Sequence, residues 1–102
     1  MIRHIVLTRF KSAVSEETIA DIYRQLESLV DKLPQASGFT GGRSKSPEQI
    51  ERGYLHGFVI DFASWEALEH YAGHPQHQRL GAQLVANAEG GIDGILVLDL
   101  EV

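Results

Sequence analysis

Five histidines and one tyrosine carry most of the chemistry open to this chain: His4, His56, His70, His74, His77 and Tyr71. An imidazole ordinarily titrates at about 6.5, so a neutral one in a partly apolar pocket can serve as a general base near pH 7. His77 is the candidate base. Tyr71, across Pro75 from it, is the candidate donor of a hydroxyl to a substrate carbonyl as enolate charge develops. Together they suit proton abstraction beside a carbonyl. A competing reading makes His77 a tether for a broken helix and Tyr71 a core ring whose polar tip finds one hydrogen bond.

His4 and His56 lie in stretches that are otherwise apolar, as pocket-lining groups or as core imidazoles satisfied by a backbone carbonyl. His70, His74 and His77 follow an i, i+4, i+7 spacing, but Pro75 breaks the ladder and no carboxylate is fixed among them. No metal site is expected, and His74 belongs to the turn beside Pro75. The glycines of residues 38–43 (GFTGGR) lead into no Gly-Lys-Ser/Thr and no helix, so they form no phosphate loop. No Ser-His-Asp set can be singled out from spacing.

The elements that must hold these residues are few. The chain has 102 residues and 43% hydrophobic content, which suits one domain with one modest core. Nine Lys and Arg against fourteen Asp and Glu leave a net charge of −5, which argues against binding nucleic acid through its phosphates. With no Cys, disulfides, thiolate metal sites and iron–sulfur clusters are excluded. The apolar runs are far short of a membrane span, and Arg3, His4 and Arg9 interrupt the opening where a signal peptide would be continuously apolar. The expected location is the cytoplasm, with no membrane partner.

Residues 2–11 alternate, with His4, Val6, Thr8 and Phe10 in one set and Ile5, Leu7 and Arg9 in the other, which predicts a strand covered on both faces. Ser15 caps a helix whose Ile19, Ile22, Tyr23, Leu26, Leu29, Val30 and Leu33 recur at helical spacing until Pro34. Residues 34–53 read as loop around a short strand near residues 39–44. Residues 54–62 alternate again, with Tyr54, His56, Phe58, Ile60 and Phe62 on one face and Leu55, Gly57, Val59 and Asp61 on the other. Ser64 caps a short helix with Trp65, Leu68 and Tyr71 or Ala72 inward, and Pro75 interrupts it. A helical segment over 76–88 and a strand over 92–100 complete the order strand, helix, strand, strand, helix, strand.

That order is an α+β, ferredoxin-like βαββαβ unit: a four-stranded antiparallel sheet with helices on one face. Ile5, Leu7, Leu55 and Val59 make the opposite face apolar as well, and a symmetric homodimer with its sheets face to face covers that patch twice over.

Three segments carry a resemblance: residues 3–11 (RHIVLTRFK), Gly53-Tyr54-x-His56, and Tyr71-x-x-His74-Pro75-x-His77. The pattern resembles the stress-responsive dimeric α/β-barrel family over essentially the whole chain. The resemblance implies a ferredoxin-like protomer that dimerises into an α/β barrel. One characterised plant member closes a linear polyketide by aldol condensation. Its catalytic Tyr and His fall on Tyr71 and His77, and the strand His of its pocket falls on His4. His56 matches another His that recurs in the family. Thr8 and Leu26 depart from that member, which has an aliphatic residue and a Tyr at these places, so the resemblance carries the fold further than the substrate.

The expected site therefore has Tyr71 and His77 as catalytic residues, with His4, Val6, Thr8, His56, Phe58 and His74 binding substrate. Its ligand is a small, largely apolar carbonyl compound, and its chemistry resembles that of a cofactor-independent cyclase or lyase. The alternatives are a non-catalytic, stress-associated dimer that sequesters a ligand and, more remotely, a haem-handling or oxygen-using monooxygenase. With no complete ligand set visible, chelator-treated protein should melt within a degree or so of untreated protein by differential scanning calorimetry.

Overall fold

The structure, a computed structural model, describes all 102 residues. A period of two organises strand β1 (Ile2–Thr8): Ile2, His4, Val6 and Thr8 are buried, and Arg3, Ile5 and Leu7 between them are half-buried. In β3 (His56–Phe62) the same alternation buries His56, Phe58, Ile60 and Phe62. The two strands pair antiparallel with His4 opposite Ile60 and Thr8 opposite His56, so both buried sets look the same way. Strand β2 (Ala36–Arg43) adds to β3, and β4 (Ile95–Glu101) adds to β1, both antiparallel. The sheet order is β2-β3-β1-β4.

Helix α1 (Glu16–Asp31) begins at Ser15, whose hydroxyl accepts from the Thr18 N–H at 3.1 Å, with Glu16 and Glu17 at the positive end of the helix dipole. Its Ile19, Ile22, Tyr23, Leu26, Leu29 and Val30 are all buried in the main core, as the spacing predicts. Ser64 caps α2 (Trp65–Gly73) in the same way, accepting from the Ala67 N–H at 3.2 Å. Pro75 then opens α3 (Pro75–Asn87), at a position where a missing N–H leaves nothing unpaired. The helical region around Pro75 is thus two helices that meet at His74. No helix is long and apolar enough to cross a membrane.

Several boundaries differ from the sequence-based expectation, each for a local reason. The first strand stops at Thr8 rather than Lys11, because Arg9 and Phe10 turn to the segment after α3. The Arg9 N–H donates to the Gly94 carbonyl at 2.8 Å, the Arg9 carbonyl accepts from Glu89 at 2.7 Å, and Phe10 bridges to Ala88. Strand β2 starts earlier, at Ala36, and carries an irregularity between Ser37 and Thr40. The third strand starts at His56 rather than Tyr54, because a turn closes from the Tyr54 N–H to the Glu51 carbonyl with Arg52 and Gly53 at φ 59° and 89°. A 3-10 turn over Gly91–Gly94 delays the last strand to Ile95. Trp65, expected inward, is half-exposed and donates its indole N–H to Glu101 at 3.1 Å.

The sheet face away from the helices is apolar and uncovered within the chain. Ile5 lies between Val59 and Leu98, and Leu7 between Gly57 and Leu96. Leu96, Leu98 and Leu100 are 46%, 54% and 47% exposed. Arg3, opposite Asp61, grips that carboxylate with two donors at 3.0 and 3.2 Å. Leu55 lies just before β3 and is half-buried.

Leu29 has no exposed surface and belongs to the main core. Leu29→Ala should therefore cost about 2–5 kcal/mol, read as a lower urea midpoint with an unchanged slope.

Candidate functional site

Three side chains meet where β1, α2 and α3 come together. His4 reaches them from β1 and is 8% exposed. Its Nδ1 lies 2.5 Å from Oδ1 of Asp99, its cross-strand neighbour on β4. A carboxylate only accepts, so the Nδ1–H donates, and in the neutral ring Nε2 keeps a lone pair.

Tyr71 comes from the last turns of α2 and is 1% exposed. Its ring contacts those of His4 at 5.8 Å, Phe62 at 5.0 Å and His77 at 4.3 Å between centroids. The imidazoles of His4 and His77 are therefore no farther apart than two of those distances combined. The Tyr71 hydroxyl is buried and has no hydrogen-bond partner in the chain. Burial pushes its pKa upward, so it stays protonated as a donor.

His77 lies in the first turn of α3. Its Nδ1–H donates to the Ala72 carbonyl at 3.0 Å, which leaves Nε2 as the acceptor of the neutral ring. Burial draws its pKa below the ordinary 6.5, the Ala72 carbonyl opposes this, and positive charge at His4 or His74 would lower it further. At pH 7 it is a neutral base.

These three groups line one cleft of about 370 Å³, together with Val6, Phe58 and Leu26. Five of the eight residues singled out from sequence are thus gathered: His4, Val6, Phe58, Tyr71 and His77. Three lie outside. Thr8 is fully buried with its hydroxyl unpartnered. It stands four residues along β1 from His4, about 13 Å at the rise of a strand. His56 sits beside Thr8 across the sheet, with Nε2 2.8 and 3.0 Å from the two Glu16 oxygens and the Phe10 ring 5.4 Å away. That contact, and Arg43 at 2.7 Å, hold the Glu16 carboxyl below the usual range. His74 uses its Nδ1 to accept from the Gln76 N–H at 3.1 Å, capping α3.

His70 is exposed and no group of three potential ligands gathers anywhere. Of two larger grooves, one of about 460 Å³ between α1 and β2 contains no imidazole, and one of about 730 Å³ along β2 and β3 includes His56 but neither Tyr71 nor His77. Asp99 was missed by sequence reasoning; its signal was a lone acid inside the apolar run Ile95 to Leu100. The 3-10 turn and Gly81 also line or border the cleft without a sequence motif.

The sheet order and one-sided helices define a ferredoxin-like α+β protein with a histidine–tyrosine cleft under its third helix. The chain belongs to the stress-responsive A/B barrel domain family, whose model matches residues 2–102. It is 32% identical over 98 residues to the stress-response A/B barrel domain-containing protein HS1 of Arabidopsis thaliana, covering 96% of this chain and 86% of that protein. It is 25% identical over 80 residues to olivetolic acid cyclase of Cannabis sativa, covering 78% and 79% of the two chains. Among solved structures, a dimeric ferredoxin-like protein from Jannaschia sp. CCS1 superposes with a TM-score of 0.92 at 38% identity, covering 99% of this chain and 98% of that one.

An NMR titration of the imidazole protons should find His77 titrating below 6.5. The unfolded chain then binds this proton more readily than the folded one, so His77 takes stability away as pH falls from 6.5 through its folded value. Replacing it with Gln should flatten that part of the stability–pH curve.

Proposed function

We propose that this protein works as a homodimer whose protomers each bind a small, largely apolar carbonyl compound and move a proton beside the carbonyl without a cofactor. The observation that carries the reading is the buried, unpartnered Tyr71 hydroxyl beside an imidazole whose Nε2 is left as an acceptor. A buried hydroxyl without a partner costs about 1–3 kcal/mol, and a carbonyl oxygen in the cleft would relieve that cost. That one relative is a cyclase, olivetolic acid cyclase, supports the reading of a ring-closing reaction.

In this mechanism His77 Nε2 takes a proton from the carbon next to the carbonyl. The electron pair of the broken C–H bond moves to form the enolate, and the Tyr71 O–H donates to the oxygen as its charge grows. The enolate carbon then attacks a second carbonyl, as in a ring closure, and the alkoxide formed there takes the proton back from His77, or the enolate itself regains that proton. Asp99 holds the His4 ring in one tautomer, with its other nitrogen free to accept from the substrate.

The homodimer is supported by the uncovered face around Ile5, Leu7, Val59 and Leu98, and by the dimeric relative from Jannaschia. Val59→Asp, which sets a carboxylate in that face without a counter-charge, should shift the protein to monomer mass in light scattering at micromolar concentration.

Exchange of the α-protons of propiophenone in D2O, followed by NMR, tests the chemistry. The protein should accelerate exchange over the same concentration of free imidazole. His77→Ala should lose roughly 100-fold of the protein-catalysed rate or more, and Tyr71→Phe roughly 10-fold or more, with melting temperatures within a few degrees. No acceleration by the unmodified protein would favour a non-catalytic ligand holder.

A further inference from the structure

We propose that the outer part of the cleft is a subsite for an uncharged alkyl or aryl tail of the substrate, and that Gly81 on α3 sets its size. The proposal rests on the carbonyl reading above. Gly81 lies inside α3, where glycine is a poor helix former. Close packing usually explains such a residue, as it does at Gly57 and Gly41. A Cβ at Gly57 would come within 2.7 Å of the Leu7 side chain, and one at Gly41 within 2.9 Å of Phe58. A Cβ at Gly81 would meet nothing within 4 Å, and its φ is not in the left-handed region. Neither crowding nor backbone conformation requires glycine there. What remains is the space itself, because Gly81 lines the cleft.

The helix sets the direction of that space. His77, Gly81 and Val85 follow at intervals of four, so they share one face of α3 and span about 12 Å. All three line the cleft. Ile92 on the 3-10 turn and Val97 on β4 complete the wall, and although apolar they are 67% and 51% exposed. The lining contains no Lys, Arg, Asp or Glu. A carboxylate or phosphate on the tail would meet no counter-charge, whereas an alkyl or aryl group would cover Ile92 and Val97. The unpartnered Tyr71 hydroxyl, which points independently to a ligand, anchors the carbonyl.

Two aryl ketones that differ only in chain length, propiophenone and octanophenone, test this by isothermal titration calorimetry. Octanophenone should bind the unmodified protein at least roughly tenfold more tightly than propiophenone. In Gly81→Leu the ratio of the two dissociation constants should fall towards one, and Gly81→Ala, the milder change should the first fail to fold, should give an intermediate ratio. Equal affinities in the unmodified protein, or a ratio that survives in both folded variants, would overturn the subsite. Because binding is read without turnover, a chain-length preference in protein that fails to speed proton exchange would sink the proton-transfer reading alone. Proton exchange without such a preference would sink the subsite alone.

Discussion

The register of β1 between β3 and β4 is the constraint on which the rest depends. Residues of a strand alternate faces, so a slip of one position would carry His4, Val6 and Thr8 to the open side and bring Arg3 and Ile5 under the helices. The pairing His4–Ile60 on one side and His4–Asp99 on the other makes that slip costly. It would expose the apolar face of the core and strand the Arg3 guanidinium, which now reaches Asp61, in the interior. One alternation therefore places a polar group beside Tyr71 and an apolar strip on the opposite surface. The cleft and the uncovered apolar face are two readings of the same seven residues.

The polar groups buried in this fold divide by whether the chain satisfies them. His56 is held by Glu16 and His74 by the start of α3, each through one ring nitrogen. The hydroxyls of Tyr71, Tyr23 and Thr8 are left unmet, and His77 and His4 likewise each engage one ring nitrogen. What separates the candidate chemical histidines from the structural ones is position: of the four, only His4 and His77 line the cleft beside Tyr71. His56 and His4 are almost equally buried.

Much of the fold was legible because it rests on local pattern. The alternation in β1 and β3 and the helical spacing from Ile19 to Val30 are written in neighbouring residues, and these elements formed, though β1 ends and β3 begins inside the stretch that alternates. Tyr71 and His77, close in sequence, are also adjacent in space, since Pro75 sets both helix ends within a few residues. Partners distant in sequence were harder to read. Asp99 meets His4 only through the β1–β4 register, a contact between opposite ends of the chain. Thr8 and His56 share a face with His4, but face alone does not give depth along a strand, and they lie at its other end. Arg9 and Phe10 continue the strand pattern in sequence, yet hydrogen bonds to Gly94 and Glu89 draw them away from the sheet.

The break at Pro75 has an electrostatic side. Because α3 starts there, His77 occupies its first turn, where the aligned peptide dipoles present their positive end. A cationic imidazole is disfavoured at that place, in the same direction as burial, while a negative oxygen nearby is favoured. A single unbroken helix through residues 65–87 would have put His77 mid-helix, where this field largely cancels. The proline therefore does more than turn the chain: it brings the positive end of a helix to an imidazole whose burial already disfavours charge.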